Sequence, residues 1–197
     1  FLDSIINLYK KKIIEYTVFD IENSVSLNPS DGGEILMTSW RYPGSPVAYC
    51  IPHTIRRELH WEEFADSVDD IPWEVSGQER KKIEAKTREV LETVPIAGQH
   101  LKHDVKWCEW HKMLDIKKVR IYMDTLNVAF QVNSSGVGID NSLKGLARKF
   151  FDVQDEWDLE IAAYLAKFRQ NKDKEYGKIP TGILGRYSAL DSYWNLE

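Results

Sequence analysis

The pattern of apolar and polar positions predicts three strands near the beginning of the chain. Three short runs are rich in β-branched and aromatic residues, and turn-forming sequences separate them; these runs are residues 15–22, 34–40 and 47–51. In the first run, Tyr16, Val18 and Asp20 share one face, while Thr17 and Phe19 point to the other. Short connections between consecutive strands are typical of an antiparallel meander.

Further along the chain, helical periods alternate with two short apolar runs. The predicted helices are residues 76–94, 99–114, 142–151 and 156–172, followed by a terminal helix after a loop at 176–182. The predicted short strands are residues 95–98 and 119–125, while the acidic and aromatic segment 60–75 predicts no single element. This order predicts an α/β fold in which helices flank a mixed sheet.

Domain organisation follows from the absence of internal repeats and low-complexity tracts. No linker interrupts residues 15–197, so we expect one domain there, preceded by a lead-in segment at 1–14. The first residue is Phe rather than Met, which suggests an excised or processed chain. The lysines follow the first apolar stretch instead of preceding it, and no apolar run approaches ~18 residues, so neither a signal peptide nor a membrane span is expected.

Composition changes the picture in two ways. The net charge of −5 argues against a nucleic-acid partner, unless the acidic residues gather to hold divalent cations and so invert the local field. The two cysteines, Cys50 and Cys108, form no C-x-x-C pair. They therefore predict neither a zinc site nor a disulfide framework, and they fit a reducing compartment.

Candidate chemistry is concentrated in carboxylates near the ends of predicted elements. Asp20 and Glu22 are two residues apart on a strand and share a face, Asp104 lies in the first turn of a helix, and Asp191 follows Tyr187 by four residues. Each has a simpler explanation: a solvated strand end, a favourable helix dipole, or a surface helix. Together they favour two hard divalent cations, Mg²⁺ or Mn²⁺, which take oxygen ligands.

Five collinear segments resemble a known family. FDIEN (19–23), AGQHLKHD (97–104) and YSALD (187–191) are similar to the three motifs of the DEDD exonuclease superfamily in its tyrosine-bearing branch. MDTLNVAF (123–130) and SLKGLARKFF (142–151) resemble two further segments of the 3′–5′ proofreading domain of family A DNA polymerases, of the DNA polymerase I type. The resemblance covers residues 15–197 and implies a ribonuclease H-like fold: a mixed five-stranded sheet with its first three strands antiparallel.

The resemblance also implies a role for each candidate residue. Asp20, Glu22 and Asp191 would ligate the cation that activates water, Asp20 would also reach a second cation, and Asp104 would hold that second cation largely through water. Tyr187 would position the nucleophile. Two substrate-binding residues follow from the same comparison: His100 replaces the family's Asn in GQHLKHD, and Leu27, with Ser26 as the alternative, takes the place of a residue that wedges against the terminal base.

The implied substrate is the 3′ end of single-stranded or frayed DNA, which would be released as nucleoside 5′-monophosphates. The implied partner is a polymerase domain of the same parent chain, and we expect a monomer in the cytoplasm of a bacterium or an infected host cell, or in an organelle. Two alternatives stay open. One is an RNase D-like 3′–5′ exoribonuclease, and the other is a non-catalytic nucleic-acid-binding domain on the same fold.

Overall fold

The computed structural model of the protein describes residues 1–24, 28–53, 76–133, 140–153, 157–167 and 176–197. These residues include 3₁₀ turns at Pro29–Asp31 and Tyr176–Lys178. The strands are β1 (Thr17–Asn23), β2 (Ile35–Arg41), β3 (Tyr49–Pro52), β4 (Ile96–Gly98) and β5 (Ile121–Asp124). The α-helices are α1 (Leu2–Lys10), α2 (Gly77–Thr93), α3 (Leu101–Trp110), α4 (Thr125–Val132), α5 (Leu143–Phe151), α6 (Leu159–Lys167) and α7 (Thr181–Trp194).

The five strands form one mixed sheet in the order β3-β2-β1-β4-β5. The first three strands are antiparallel neighbours, whereas β1 pairs in parallel with β4, and β4 with β5. The predicted α/β fold and its mixed five-stranded sheet are therefore confirmed. Because β1 and β4 run in the same direction, their carboxyl ends meet at one edge of the sheet.

Strand β1 lies at the centre of the sheet and separates two hydrophobic cores. Phe19 and Ile21 are buried in a core that includes side chains of α1, α2 and α3. The alternation of side chains along the strand turns Asp20 and Glu22 to the opposite face, where α7 contacts β1, β2 and β3. A strand that is apolar on one face thus presents two carboxylates to a helix on the other.

Gly98 allows the close packing of β4, α3 and β1. A Cβ atom at this position would lie 2.6 Å from the backbone oxygen of Phe19 and 2.8 Å from the side chain of Leu101. Such contacts are too short for any real Cβ, so a larger residue would push α3 away from β1. The glycine therefore places the first turn of α3 beside the carboxyl end of β1.

The limits of α3 differ from the predicted helix at 99–114. His100 precedes the helix with φ 60°, and Lys112 follows it with φ 59°, so a left-handed residue lies at each end. Left-handed residues cannot continue a right-handed helix, which explains the shorter element. Asn, Asp and His are enriched among the non-glycine residues of this backbone region, so the conformation is accessible to His100.

The other predicted strands and helices are present with shifted ends. Helix α6 covers Leu159–Lys167 of the predicted 156–172, the predicted loop at 176–182 contains a 3₁₀ turn, and α7 already begins at Thr181. The lead-in segment forms α1, whose Leu2, Ile5 and Ile6 are buried in the same core as the sheet. Segment 60–75 lies outside the described residues. Both cysteines are free, and among the helices described here none is long and apolar enough to cross a membrane.

Candidate metal centre

Three carboxylates from two elements meet on the α7 face of the sheet. Asp20 and Glu22 of β1 and Asp191 of α7 each offer an oxygen atom within 4.8 Å of the other two. The strand places the first pair, because residues two apart share a face. The packing of α7 on β1 and β2 adds the third. The structure thus assembles a cluster that could hold a metal ion, as the sequence predicted.

Asp104 lies next to this cluster. It occupies the first turn of α3, its side chain is only 3% exposed, and its charge helps to raise the pKa of both Asp20 and Glu22. The Oδ2 atom of Asp104 and that of Asp20 are fully buried and lack a hydrogen-bond partner among the described residues. Buried carboxylate oxygens without partners are costly, and a hard cation is the ligand that would satisfy them. The donor set therefore fits a hard cation that takes oxygen ligands.

The electrostatics of the cluster favour cation binding. Burial raises the pKa of Asp20 and that of Glu22 well above the usual values, and repulsion from the neighbouring carboxylates adds to both shifts. Burial also raises the pKa of Asp191, to about 6. Like charges in a buried site cannot all ionise without compensation. A bound metal ion would supply this compensation and let the carboxylates stay ionised at neutral pH.

Trp157 and Tyr187 both act on the carboxyl group of Asp191. The indole Nε1 of Trp157 donates to Asp191 Oδ1 over 2.7 Å. The hydroxyl of Tyr187, one helical turn earlier, lowers the pKa of the same carboxyl group, as the indole does. Burial raises the pKa of Tyr187 well above its usual value, and the charges of Asp191 and Glu22 raise it further. The phenol therefore stays protonated and remains a donor. This geometry explains the Y-x-x-x-D spacing of the terminal helix.

Lys144 of α5 brings a positive charge to the cluster. Its ammonium group lies 5.3 Å from the centre of the Tyr187 ring and 5.7 Å from that of Trp157, and it forms an ion pair with Asp158. Its charge lowers the pKa of Glu22 and of Asp191 and so opposes the effect of burial. Sequence reasoning missed both Lys144 and Trp157. Lys144 lies within a quoted motif, but neither residue has a spacing that points to the carboxylates.

Of the two predicted substrate-binding residues, His100 and Leu27, the structure describes only His100. His100 is exposed at the start of α3, where its backbone N–H donates to Asp124 Oδ1 over 3.0 Å. The neighbouring Leu101 N–H donates to Asp124 Oδ2 over the same distance, so Asp124 fixes the turn that carries His100. Leu27 and its alternative, Ser26, lie outside the described residues. The substrate-binding role of His100 stays a prediction.

Comparison of the sequence with protein-family models and with curated proteins finds no match. The interpretation of the site therefore depends on its geometry and on the motifs in the sequence.

Proposed function

We propose that the protein is a metal-dependent 3′–5′ exonuclease with a ribonuclease H-like fold, acting on the 3′ end of single-stranded or frayed DNA as the proofreading module of a DNA polymerase. The main support is the meeting of Asp20, Glu22 and Asp191 within 4.8 Å, with the unpartnered Oδ2 of Asp104 beside them. The hydroxyl of Tyr187, beside Asp191, adds a group that could orient an attacking water. The resemblance of the five motif segments to a proofreading exonuclease domain supports the choice of DNA as the substrate.

The residues divide into two ligand groups. Asp20, Glu22 and Asp191 would hold one divalent cation, and Asp20 together with Asp104 would hold the other. When bound, two such cations supply Lewis-acid stabilisation of the attacking and leaving oxygens in an in-line phosphoryl displacement. The protein keeps this donor set in a buried position, where electrostatic interactions are stronger than in water.

The hydroxyl of Tyr187 would orient the attacking water. The hydroxyl lowers the pKa of Asp191, so the water would be held between the phenol and the carboxylates. Trp157 and Lys144 support this arrangement, because the indole fixes one oxygen of Asp191 and the ammonium group favours the ionised form. Holding reactants in one geometry supplies a large share of enzymatic acceleration. These four side chains would thus position the nucleophile relative to the substrate phosphate.

The test is a cleavage assay with a 5′-labelled single-stranded DNA oligonucleotide, in Mg²⁺, in Mn²⁺ and in EDTA. We expect metal-dependent shortening from the 3′ end, which the Asp20→Ala/Glu22→Ala variant should lose. Glu109→Ala, which removes an exposed carboxylate from α3, is the matched control and should cleave normally.

An RNA oligonucleotide of the same sequence tests the substrate. Faster cleavage of RNA than of DNA would point to an exoribonuclease instead. No cleavage of either oligonucleotide would contradict the enzyme proposal.

A further inference from the structure

Helix α3, which carries Asp104, is held at its first turn by a carboxylate from another strand. Oδ1 of Asp124 accepts a hydrogen bond from the backbone N–H of His100, and Oδ2 accepts one from that of Leu101, each over 3.0 Å. The side chain of His100, at the position that usually caps a helix, makes no capping hydrogen bond to the described residues. Asp124 therefore supplies the acceptors that the first amides of α3 require, and Asp104 lies within the same first turn.

The pairing of the strands places Asp124 where it can reach α3. Asp124 is the last residue of β5, and it pairs with Gly98, the last residue of β4. Because the two strands are parallel, the amides that follow Gly98 lie beside the end of β5. A further hydrogen bond, from the N–H of Leu126 over 3.1 Å, caps α4. Three backbone donors thus hold the Asp124 carboxylate in one orientation.

The next residue, Thr125, is connected to the helix that carries Asp191. Its hydroxyl oxygen lies 3.0 Å from Oδ1 of Asn195 and 3.2 Å from the backbone oxygen of Gly98. Asn195 is 5% exposed, and its Nδ2 donates to the backbone oxygen of Asp191 over 3.0 Å. A single side chain therefore connects Thr125 to the turn of α7 that contains Asp191.

We propose that Asp124 and Thr125 are positioning residues that set the separation between Asp104 and Asp191. The two residues are adjacent in the chain, and each holds a different ligand-bearing helix against the end of the sheet. A shift of either helix would move one carboxylate relative to the others of the metal centre. The inference rests on the proposed function, because that function needs Asp104 and Asp191 to act at one centre.

Calorimetry of Mn²⁺ binding to the full chain measures the effect of two variants. Asp124→Glu keeps the charge but moves the carboxylate by one methylene, which breaks its hydrogen bonds to α3. The charge is kept because burial raises the pKa of Asp104 and the charge of Asp124 raises it further. Thr125→Val replaces the hydroxyl by a methyl group of similar size and breaks the connection to Asn195. We expect each change to weaken Mn²⁺ binding by about tenfold or more, the loss that is typical when a partner of a metal ligand is removed.

Two controls separate positioning from a general loss of stability. Ser76→Ala removes the cap of α2, where the Ser76 side chain accepts from the N–H of Glu79, and should lower the melting temperature without changing Mn²⁺ affinity. In an Asp104→Asn background, Asp124→Glu should cause no further loss of affinity, whereas Thr125→Val should still cause one. This difference would not arise if both residues only stabilised the fold.

Normal Mn²⁺ affinity in both variants would overturn the proposal, and so would an equal loss of affinity in the Ser76→Ala variant. If Asp124→Glu does not fold, the isosteric Thr125→Val decides alone, and its normal affinity would overturn the proposal.

The cleavage assay distinguishes this result from failure of the proposed function. If the wild-type protein cleaves DNA and both variants bind Mn²⁺ normally, the positioning role is wrong and the exonuclease stands. If the wild-type protein cleaves neither DNA nor RNA but its Mn²⁺ affinity depends on Asp124 and Thr125 as described, the positioning role is supported and the exonuclease is contradicted.

Discussion

Ser39 and Ser192 share a fully buried hydrogen bond, with their Oγ atoms 2.6 Å apart. Ser39 lies opposite Asp20 in the pairing of β1 with β2, and Ser192 follows Asp191 in α7. One hydrogen bond therefore joins the two elements that bring the carboxylates together. Nearby, Arg41 donates to the backbone oxygen of Tyr193 over 2.6 Å and strengthens the same contact.

Ser192→Ala should weaken both the fold and the metal centre. Removing one hydroxyl leaves the other buried without a partner, which costs about 1–3 kcal/mol of unfolding free energy. A shift of α7 relative to β2 would move Asp191 away from Asp20, so the affinity for Mn²⁺ should also fall. Calorimetry measures this affinity under conditions where the variant stays folded. Ser39→Ala combined with Ser192→Ala should recover part of the stability, since neither hydroxyl then remains unpaired. If the Ser192→Ala variant binds Mn²⁺ with normal affinity, the hydrogen bond between Ser39 and Ser192 stabilises the fold but does not position the metal ligands.

Asp20→Asn should stabilise the protein in the absence of metal. The change removes one ionisable group from a buried cluster whose carboxylates cannot all ionise together, and we expect the free energy of unfolding to rise by about 1–2 kcal/mol. Mn²⁺ raises the melting temperature of any protein that binds it only in the folded state, so it should stabilise the wild type strongly and this variant weakly. Thermal unfolding with and without Mn²⁺ gives both comparisons. A destabilised metal-free variant would mean that Asp20 is not under repulsion.

Tyr187→Phe should slow cleavage and leave Mn²⁺ affinity nearly unchanged. The ring remains to fill its position, but the hydroxyl that would orient water is lost, and misplacement of a reactant costs about 10²-fold in rate. Single-turnover cleavage measures the chemical step, and calorimetry measures the metal. Tyr176→Phe, which removes a neighbouring phenol, is the control for general loss of a hydroxyl. An unchanged cleavage rate in the Tyr187→Phe variant would show that the hydroxyl does not orient the attacking water.

Lys144→Met should move the acidic limb of the pH–rate profile to higher pH. Burial raises the pKa of Glu22 and that of Asp191, and Lys144 opposes both shifts. Without the ammonium group the two carboxylates stay protonated to a higher pH, so activity should also begin at a higher pH. Lys82→Met, exposed on α2, is the matched control. Equal profiles for the wild type and the Lys144 variant would show that the charge does not reach the carboxylates.

The sequence predicted those parts of the site that depend on local geometry. The period of a strand puts Asp20 and Glu22 on one face, and the period of a helix puts Tyr187 and Asp191 one turn apart. The strand runs and the turn sequences between them were sufficient for the antiparallel part of the sheet. In each case the relevant neighbours are close together in the chain.

The missed features depend on contacts between distant segments. Trp157 reaches Asp191 across 34 residues, and Lys144 reaches Tyr187 from another helix. The left-handed backbone at His100, which shortens α3, is stabilised by Asp124, 24 residues away. No periodic pattern in one sequence encodes such pairs, because they arise only when helices pack on the sheet.

His53 should make the fold less stable as the pH falls. Its side chain is 1% exposed, its Nδ1 atom has no hydrogen-bond partner among the residues described, and burial lowers its pKa to about 4, with Arg80 and His111 adding repulsion. The unfolded chain binds a proton at its usual pKa of 6.5, whereas the folded protein does so only near 4. The free energy of unfolding therefore falls by about 3 kcal/mol as the pH falls from 6.5 to about 4.

Denaturant unfolding of the wild type and of His53→Gln, at about pH 7 and about pH 4, measures this effect. The variant cannot take up the proton, so it should lose about 3 kcal/mol less than the wild type between the two pH values. The carboxylates of the metal centre, whose raised pKa values act in the opposite direction, are present in both proteins and cancel in the comparison. Equal losses in the two proteins would mean that His53 is protonated in the folded state without cost, and that its burial does not make the fold sensitive to acid.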